Sequence, residues 1–245
     1  MLASEILGLA PWAAGLAVVI VFVGSATQAS IGIGLGLMAA PTLTLIDTAF
    51  IPGAIAIGVV PLTVGMTARE WDHVDPEIYR AVVGRVIGIL VGAWAVAASG
   101  QDLITVMIAV TVLLAVIASG LGWRFAPTRR NLTVAGTISG FTGTVAGIGG
   151  PPLALTYQHS DPRTLRASLA MFNTIGSAVI IPSLWYVGVI GRRELQLGLM
   201  LVPGVLAGLW VGRHTITRLP ASLVRPFVLI VCSASAIVLL ARQLG

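Results

Sequence analysis

The residues in this sequence best placed to do chemistry are two clusters of glycine. Gly32, Gly34 and Gly36 precede Pro41, and Gly147, Gly149 and Gly150 precede Pro151 and Pro152. Both clusters lie in uncharged apolar stretches. Glycine and proline interrupt a helix there and leave backbone N–H and C=O groups unpaired. Lipid cannot satisfy those groups, so broken backbone at membrane depth is tolerated only where protein covers it or it lines a wet cavity. Two such breaks, one in each half of a chain, point to the substrate site of a secondary transporter. Half-helix ends that face such a site offer N–H groups and the positive end of a dipole to an anion.

Polar side chains near the breaks are the next candidates. Thr27, Gln28 and Ser30 precede the first, and Thr142 and Thr144 precede the second. Their hydroxyl and amide groups can bind an oxyanion without the cost of an intramembrane charge. Their structural alternative is helix–helix hydrogen bonding, worth about 0.6 kcal/mol in a membrane. Asn173, in mid-block, carries the same ambiguity. Arg85 lies one turn inside an apolar block. It could clamp an oxyanion through two N–H groups, but the favoured reading is an interfacial arginine that snorkels to the headgroups. His159 and Asp161 follow the second break and are candidates for coupling a proton. A solvated loop with Asp161 capping the next helix is favoured over that role, and Asp47 reads the same way.

Composition excludes much else. The chain has 245 residues, of which 57% are hydrophobic and 9% charged, against roughly 25% charged in soluble domains. Residues 6–46 contain no Asp, Glu, Lys or Arg, about twice the 20 residues a span needs. All fourteen basic residues are arginine, and they sit between apolar segments. That is the pattern of topology signals and not of nucleic-acid binding. The single cysteine, Cys232, rules out an internal disulfide, a multi-cysteine metal site and a thiol relay. No HExxH or GxSxG motif is present, and no pair of mid-block aspartates. The expectation is no catalysis, no cofactor and no metal. The first four residues lack a positive n-region, so no cleaved signal peptide is expected.

These residues must be positioned by apolar blocks, which run roughly 8–31, 33–46, 51–68, 81–99, 103–122, 132–146, 148–157, 167–190, 195–212 and 222–241. The polar stretch 123–131 reads as a linker between a first repeat, 1–122, and a second, 132–245. A displacement of 115 lays Gly32 and Gly34 on Gly147 and Gly149, and Thr27 on Thr142. A displacement of 116 lays Gly88, Gly92 and Trp94 on Gly204, Gly208 and Trp210. The series Gly84, Gly88, Gly92 and Gly204, Gly208, Gly212 contain no proline and read as helix-packing faces. If each break turns the chain back to the side it entered from, each half crosses three times and the halves are inverted. Eleven of the fourteen arginines then share one side, with Arg192, Arg193 and Arg242 on the other, as the positive-inside rule prefers. The fold expected is an all-α polytopic membrane protein of two inverted repeats, each a glycine-broken helical hairpin plus three transmembrane helices.

The run from Gly140 through Gly147, Gly149, Gly150, Pro151 and Pro152 to Leu153 resembles the second-half signature of the sulfite exporter TauE/SafE family. Gln28 to Pro41 resembles its first-half counterpart. Length, block number and linker position fit as well. The resemblance implies a bacterial inner-membrane permease for a small sulfur-containing or organic anion such as sulfite or a sulfonate. The expected partners are that anion and membrane lipid, with a homodimer left open. Uptake by proton symport is the alternative within transport, and a structural or sensing membrane protein the alternative outside it.

Overall fold

The computed structural model describes residues 7–120, 125–157, 160–215, 230, 233–239 and 241. Among these, every regular element is helical. The chain runs α1 (Pro11–Ile31), α2 (Leu35–Ile46), α3 (Gly53–Gly58), α4 (Val60–Glu70), α5 (Ile78–Ala97), α6 (Gln101–Gly120), α7 (Arg129–Ala146), α8 (Pro151–Tyr157), α9 (Pro162–Tyr186) and α10 (Arg192–Thr215). Residues 233–239 are helical as well. Five helices, α1, α5, α6, α9 and α10, are long and apolar enough to cross a membrane. Their outward faces suit lipid: α5 exposes Val83, Ile87, Leu90, Val91 and Trp94 while it buries Ala81, Gly84, Gly88 and Gly92. The chain is a membrane protein.

Two details differ from the sequence reading. Block 51–68 is not one helix. It divides at Val59 into α3 and α4, because Pro61 in the first turn of α4 has no N–H to continue the ladder. The expected linker gives its last residues to α7, which starts at Arg129. Thr128 caps it, its hydroxyl accepting from Asn131 N–H. The segment 222–241 lies mostly outside the described residues.

The glycine series are packing faces. A methyl group on Gly84 or Gly88 would collide with the carbonyl oxygens of Thr133 and Thr137, and Gly92 abuts Phe141 and Thr144. Contacts advance together along both helices, so α5 and α7 run parallel. Gly204, Gly208 and Gly212 of α10 meet Val18, Phe22 and Ala26 of α1 in the same manner, also in parallel. Small residues let these backbones touch, which is the main source of helix association where lipid removes the hydrophobic drive.

Ion pairs and hydrogen bonds then show where each broken hairpin begins and ends. Arg193 pairs with Asp47, just after α2, and its guanidinium also lies beside Gly8, just before α1. The α1–α2 hairpin therefore opens at the end of the molecule that carries Arg192 and Arg193. Tyr157, the last residue of α8, donates its O–H to Asp75, just before α5, at 2.8 Å. Because α7 starts beside the start of α5, the α7–α8 hairpin opens at the opposite end. That end also holds Arg69, Arg80, Arg129, Arg130 and Arg163.

Candidate functional site

Each break starts with a glycine in the left-handed region. Gly32 has φ +90° and ends α1, its N–H donating to Gln28 C=O at 2.8 Å. Gly147 has φ +70° and ends α7, its N–H donating to Gly143 C=O at 3.0 Å. These are glycine C-caps, which a side chain would strain. The chain then doubles back, so that Gly24 touches Leu35 and Gly143 touches Gly149.

The two breaks meet. A methyl group on Gly36 would collide with the carbonyl oxygen of Gly147, and one on Gly150 would lie 3.2 Å from Ile33 Cγ2. Between them is a cavity of about 60 Å³. Gln28, Gly32, Gly34 and Gly36 line it from the first half, and Gly147, Gly149, Gly150 and Pro151 from the second. Asn173, Ser177 and Ile180 of α9, Ile55 and Val59, and Arg85 of α5 complete the wall.

Arg85 dominates the site. It is 3% exposed. Its Nη1 donates to Asn173 Oδ1 at 3.1 Å, and its guanidinium carbon stands 4.1 Å from the Phe172 ring centroid. Its Nε is buried without a partner. Among the described residues, no carboxylate pairs with it. The snorkelling expectation is therefore corrected: Arg85 turns inward, away from the headgroups. The reason is its place on α5, one residue from Gly84 and four from both Ala81 and Ile89, on the buried face. Gly176 of α9 makes the room, since a methyl group there would overlap Arg85 Nε.

The other sequence candidates separate into those that line the cavity and those that do not. Gln28 lines it and also braces the break. Its Oε1 accepts from Leu35 N–H at 3.1 Å, supplying the partner that the break took from the start of α2. Thr27, Thr142 and Thr144 do not line the cavity, contrary to the reading of them as anion donors. Thr27 packs its methyl beneath Gly34. Thr142 Oγ1 donates to Ile148 C=O at 2.7 Å, pinning the second break, and Thr144 Oγ1 donates to Gly140 C=O at 2.8 Å. The first positions of α8 are Pro151 and Pro152, which have no N–H; Gly149 and Gly150, just before them, keep theirs and line the cavity. Asp161 caps α9, accepting from Arg163 N–H at 2.8 Å, and His159 lies outside the described residues. Gly176, Phe172 and Ser177 went unread in the sequence. Their signal was spacing: Phe172, Asn173, Gly176, Ser177 and Ile180 recur at helical intervals on one face of α9.

A family model described as Sulfite exporter TauE/SafE matches residues 16–239. The comparisons with curated proteins and with solved structures return no match. Members of the matched family are membrane transporters and not enzymes. The match spans both glycine breaks, Arg85 and the α1–α10 and α5–α7 seams, and the chain belongs to the sulfite exporter TauE/SafE family.

Proposed function

We propose that this protein is a multi-pass permease of the bacterial inner membrane that exports a small oxyanion of the sulfite or sulfonate class through the cavity where its two breaks meet. The observation that carries the reading is Arg85, a buried guanidinium with an unpartnered Nε and, among the described residues, no carboxylate partner, set against the broken backbone. Taking such a cation out of water costs several kcal/mol when nothing pairs with it. An oxyanion in the cavity would offset that cost by accepting charge-assisted hydrogen bonds. Asn173 holds the guanidinium in place, the α2 N-terminus adds positive potential, and the glycines leave the anion room. Small monoanions fit best in charge, since one guanidinium neutralises one charge. They fit in size too. The cavity's volume of about 60 Å³ is several times the roughly 10–15 Å³ that holds one water, so it has room for a small solute.

The halves read as inverted repeats. The α1–α10 seam corresponds to α7–α5 when the halves are exchanged, and the two hairpins open at opposite ends. The arginine-rich end is then cytoplasmic by the positive-inside rule. Alternating access would rock the hairpins about their meeting point. An inside-negative potential drives an anion outward with about 2.3 kcal/mol per charge per 100 mV, so export needs no further coupling.

Counterflow of labelled sulfite in proteoliposomes tests this. Efflux should accelerate under an inside-negative potential and be lost in Arg85→Gln. Flux indifferent to both would reject the reading.

A further inference from the structure

The cavity is closed differently at its two ends. Toward the Arg192–Arg193 end the seal is apolar: Ile55, Val59 and Ile180 give way to Ala56, Ile89, Leu184 and Ile190. Toward the arginine-rich end runs a polar seam between α9 and the α4–α5 connection. It passes from Asn173 to the Thr174–Thr67 hydroxyl pair at 3.0 Å, to Arg166 on Glu70, and to Ser168, whose Oγ accepts from Asp75 N–H at 3.0 Å. Arg166 stands about two helical turns from Asn173, roughly 10 Å along α9. Its side chain crosses directly behind Gly32, with Cγ 3.1 Å from where a methyl group on that glycine would sit.

The ion pair at this point is unusual in its bonding. Arg166 is 9% exposed. Its Nε and Nη2 both donate to one oxygen of Glu70, Oε1, at 3.2 and 2.9 Å. The other oxygen, Oε2, is buried with no partner. A two-oxygen fork would hold both groups more firmly. A half-buried carboxylate with one oxygen left without a partner is a counter-ion that a better-bonded anion can replace.

We propose that Arg166 is a second anion-binding residue on the transport path, at the arginine-rich mouth of the cavity, and that Glu70 occupies it as a displaceable counter-ion that keeps the mouth shut. The anion reaching that mouth exchanges with Glu70 on Arg166 and then passes Gly32 to Arg85. This rests on the reading of the central cavity as an anion site. At the other end the Arg193–Asp47 pair is partly exposed and is not part of the apolar cluster of Ala56, Ile89, Leu184 and Ile190 that closes the cavity, so the two mouths open by different physics: exchange of ionic partners at one, separation of apolar side chains at the other.

The test uses the full chain in membrane vesicles, with Cys232→Ser and one new thiol, Ser177→Cys, in the cavity wall. Labelling by small anionic and cationic methanethiosulfonate reagents is followed from each side. From the arginine-rich side, Glu70→Gln should speed anionic labelling about tenfold, a change of about 1.4 kcal/mol, and cationic labelling far less. Adding Arg166→Gln should keep the mouth open but remove the anion preference. A charge exchange, Glu70→Arg with Arg166→Glu, should close it again and controls for folding. Unchanged labelling in Glu70→Gln, an equal gain for both reagents, or an open mouth in the charge exchange would overturn the proposal. Protection of the thiol by methanesulfonate, an anion of the same class that does not attack the reagents, and its loss in Arg85→Gln, reports separately on the central site.

Discussion

Gly176 lies directly against the guanidinium of Arg85, so close that a single methyl group on Gly176 would overlap Nε. One glycine of α9 thus decides where the buried guanidinium of the cavity can sit. Gly176→Ala should displace Arg85 from Asn173 and cut sulfite counterflow at least tenfold. It should also destabilise the fold by about 1–3 kcal/mol through overpacking. Normal flux from this variant would mean that the guanidinium position is unimportant.

The two break glycines should respond differently to alanine. A methyl group on Gly149 would reach 3.1 Å from Arg85 Nη2 and 3.4 Å from Asn173 Oδ1, so it enters the anion space. Gly149→Ala should weaken sulfite protection while thermal stability changes little. Gly36→Ala would press on the Gly147 carbonyl, where the breaks touch, and should lower stability by more than 1 kcal/mol. Melting curves with and without sulfite separate the two, and identical behaviour would argue against a shared cavity wall.

The packing seams make a contrast that needs no ligand. Gly88→Ala and Gly208→Ala each collide with backbone of the facing helix and should reduce the yield of monodisperse protein. Gly15→Ala, in the second turn of α1, meets nothing within 4 Å. It should be neutral or stabilising by up to about 1 kcal/mol, since alanine is the better helix former. Size-exclusion profiles would show whether that order holds.

Thr142→Val removes the hydroxyl that holds Ile148 C=O. It should cost about 1 kcal/mol and leave sulfite binding within a few-fold of normal. Loss of binding at full stability would return Thr142 to the set of anion donors.

Much of this was legible in the sequence because backbone chemistry is local. Glycine and proline at 32–36 and 147–152 break helices wherever they stand, and four-residue glycine spacing marks a close seam whatever the partner. Side-chain direction is not local in the same way. One arginine a turn inside an apolar block looks alike whether it faces lipid or a cavity. The available signal was that Arg85 shares a helix face with Ala81 and Gly84, opposite Val83, Ile87 and Trp94. Which hydroxyls would be consumed by the breaks themselves depends on how the chain turns after Gly147, and that is set by the packing of α7 on α5. The Glu70–Arg166 pair joins residues nearly a hundred positions apart, so spacing carried no trace of it.

The most direct measurement is sulfite-dependent thermal stabilisation of the purified wild-type protein beside Arg85→Gln and Arg85→Lys. Saturating sulfite, at about 100 times its dissociation constant, should stabilise the wild type by about 2.7 kcal/mol, while chloride at equal ionic strength should not. Arg85→Gln should lose the effect. Arg85→Lys should keep only part of it, because an ammonium supplies the charge without the planar fork. Equal sulfite stabilisation of wild type and Arg85→Gln would contradict the assignment of the anion to the cavity between the two breaks.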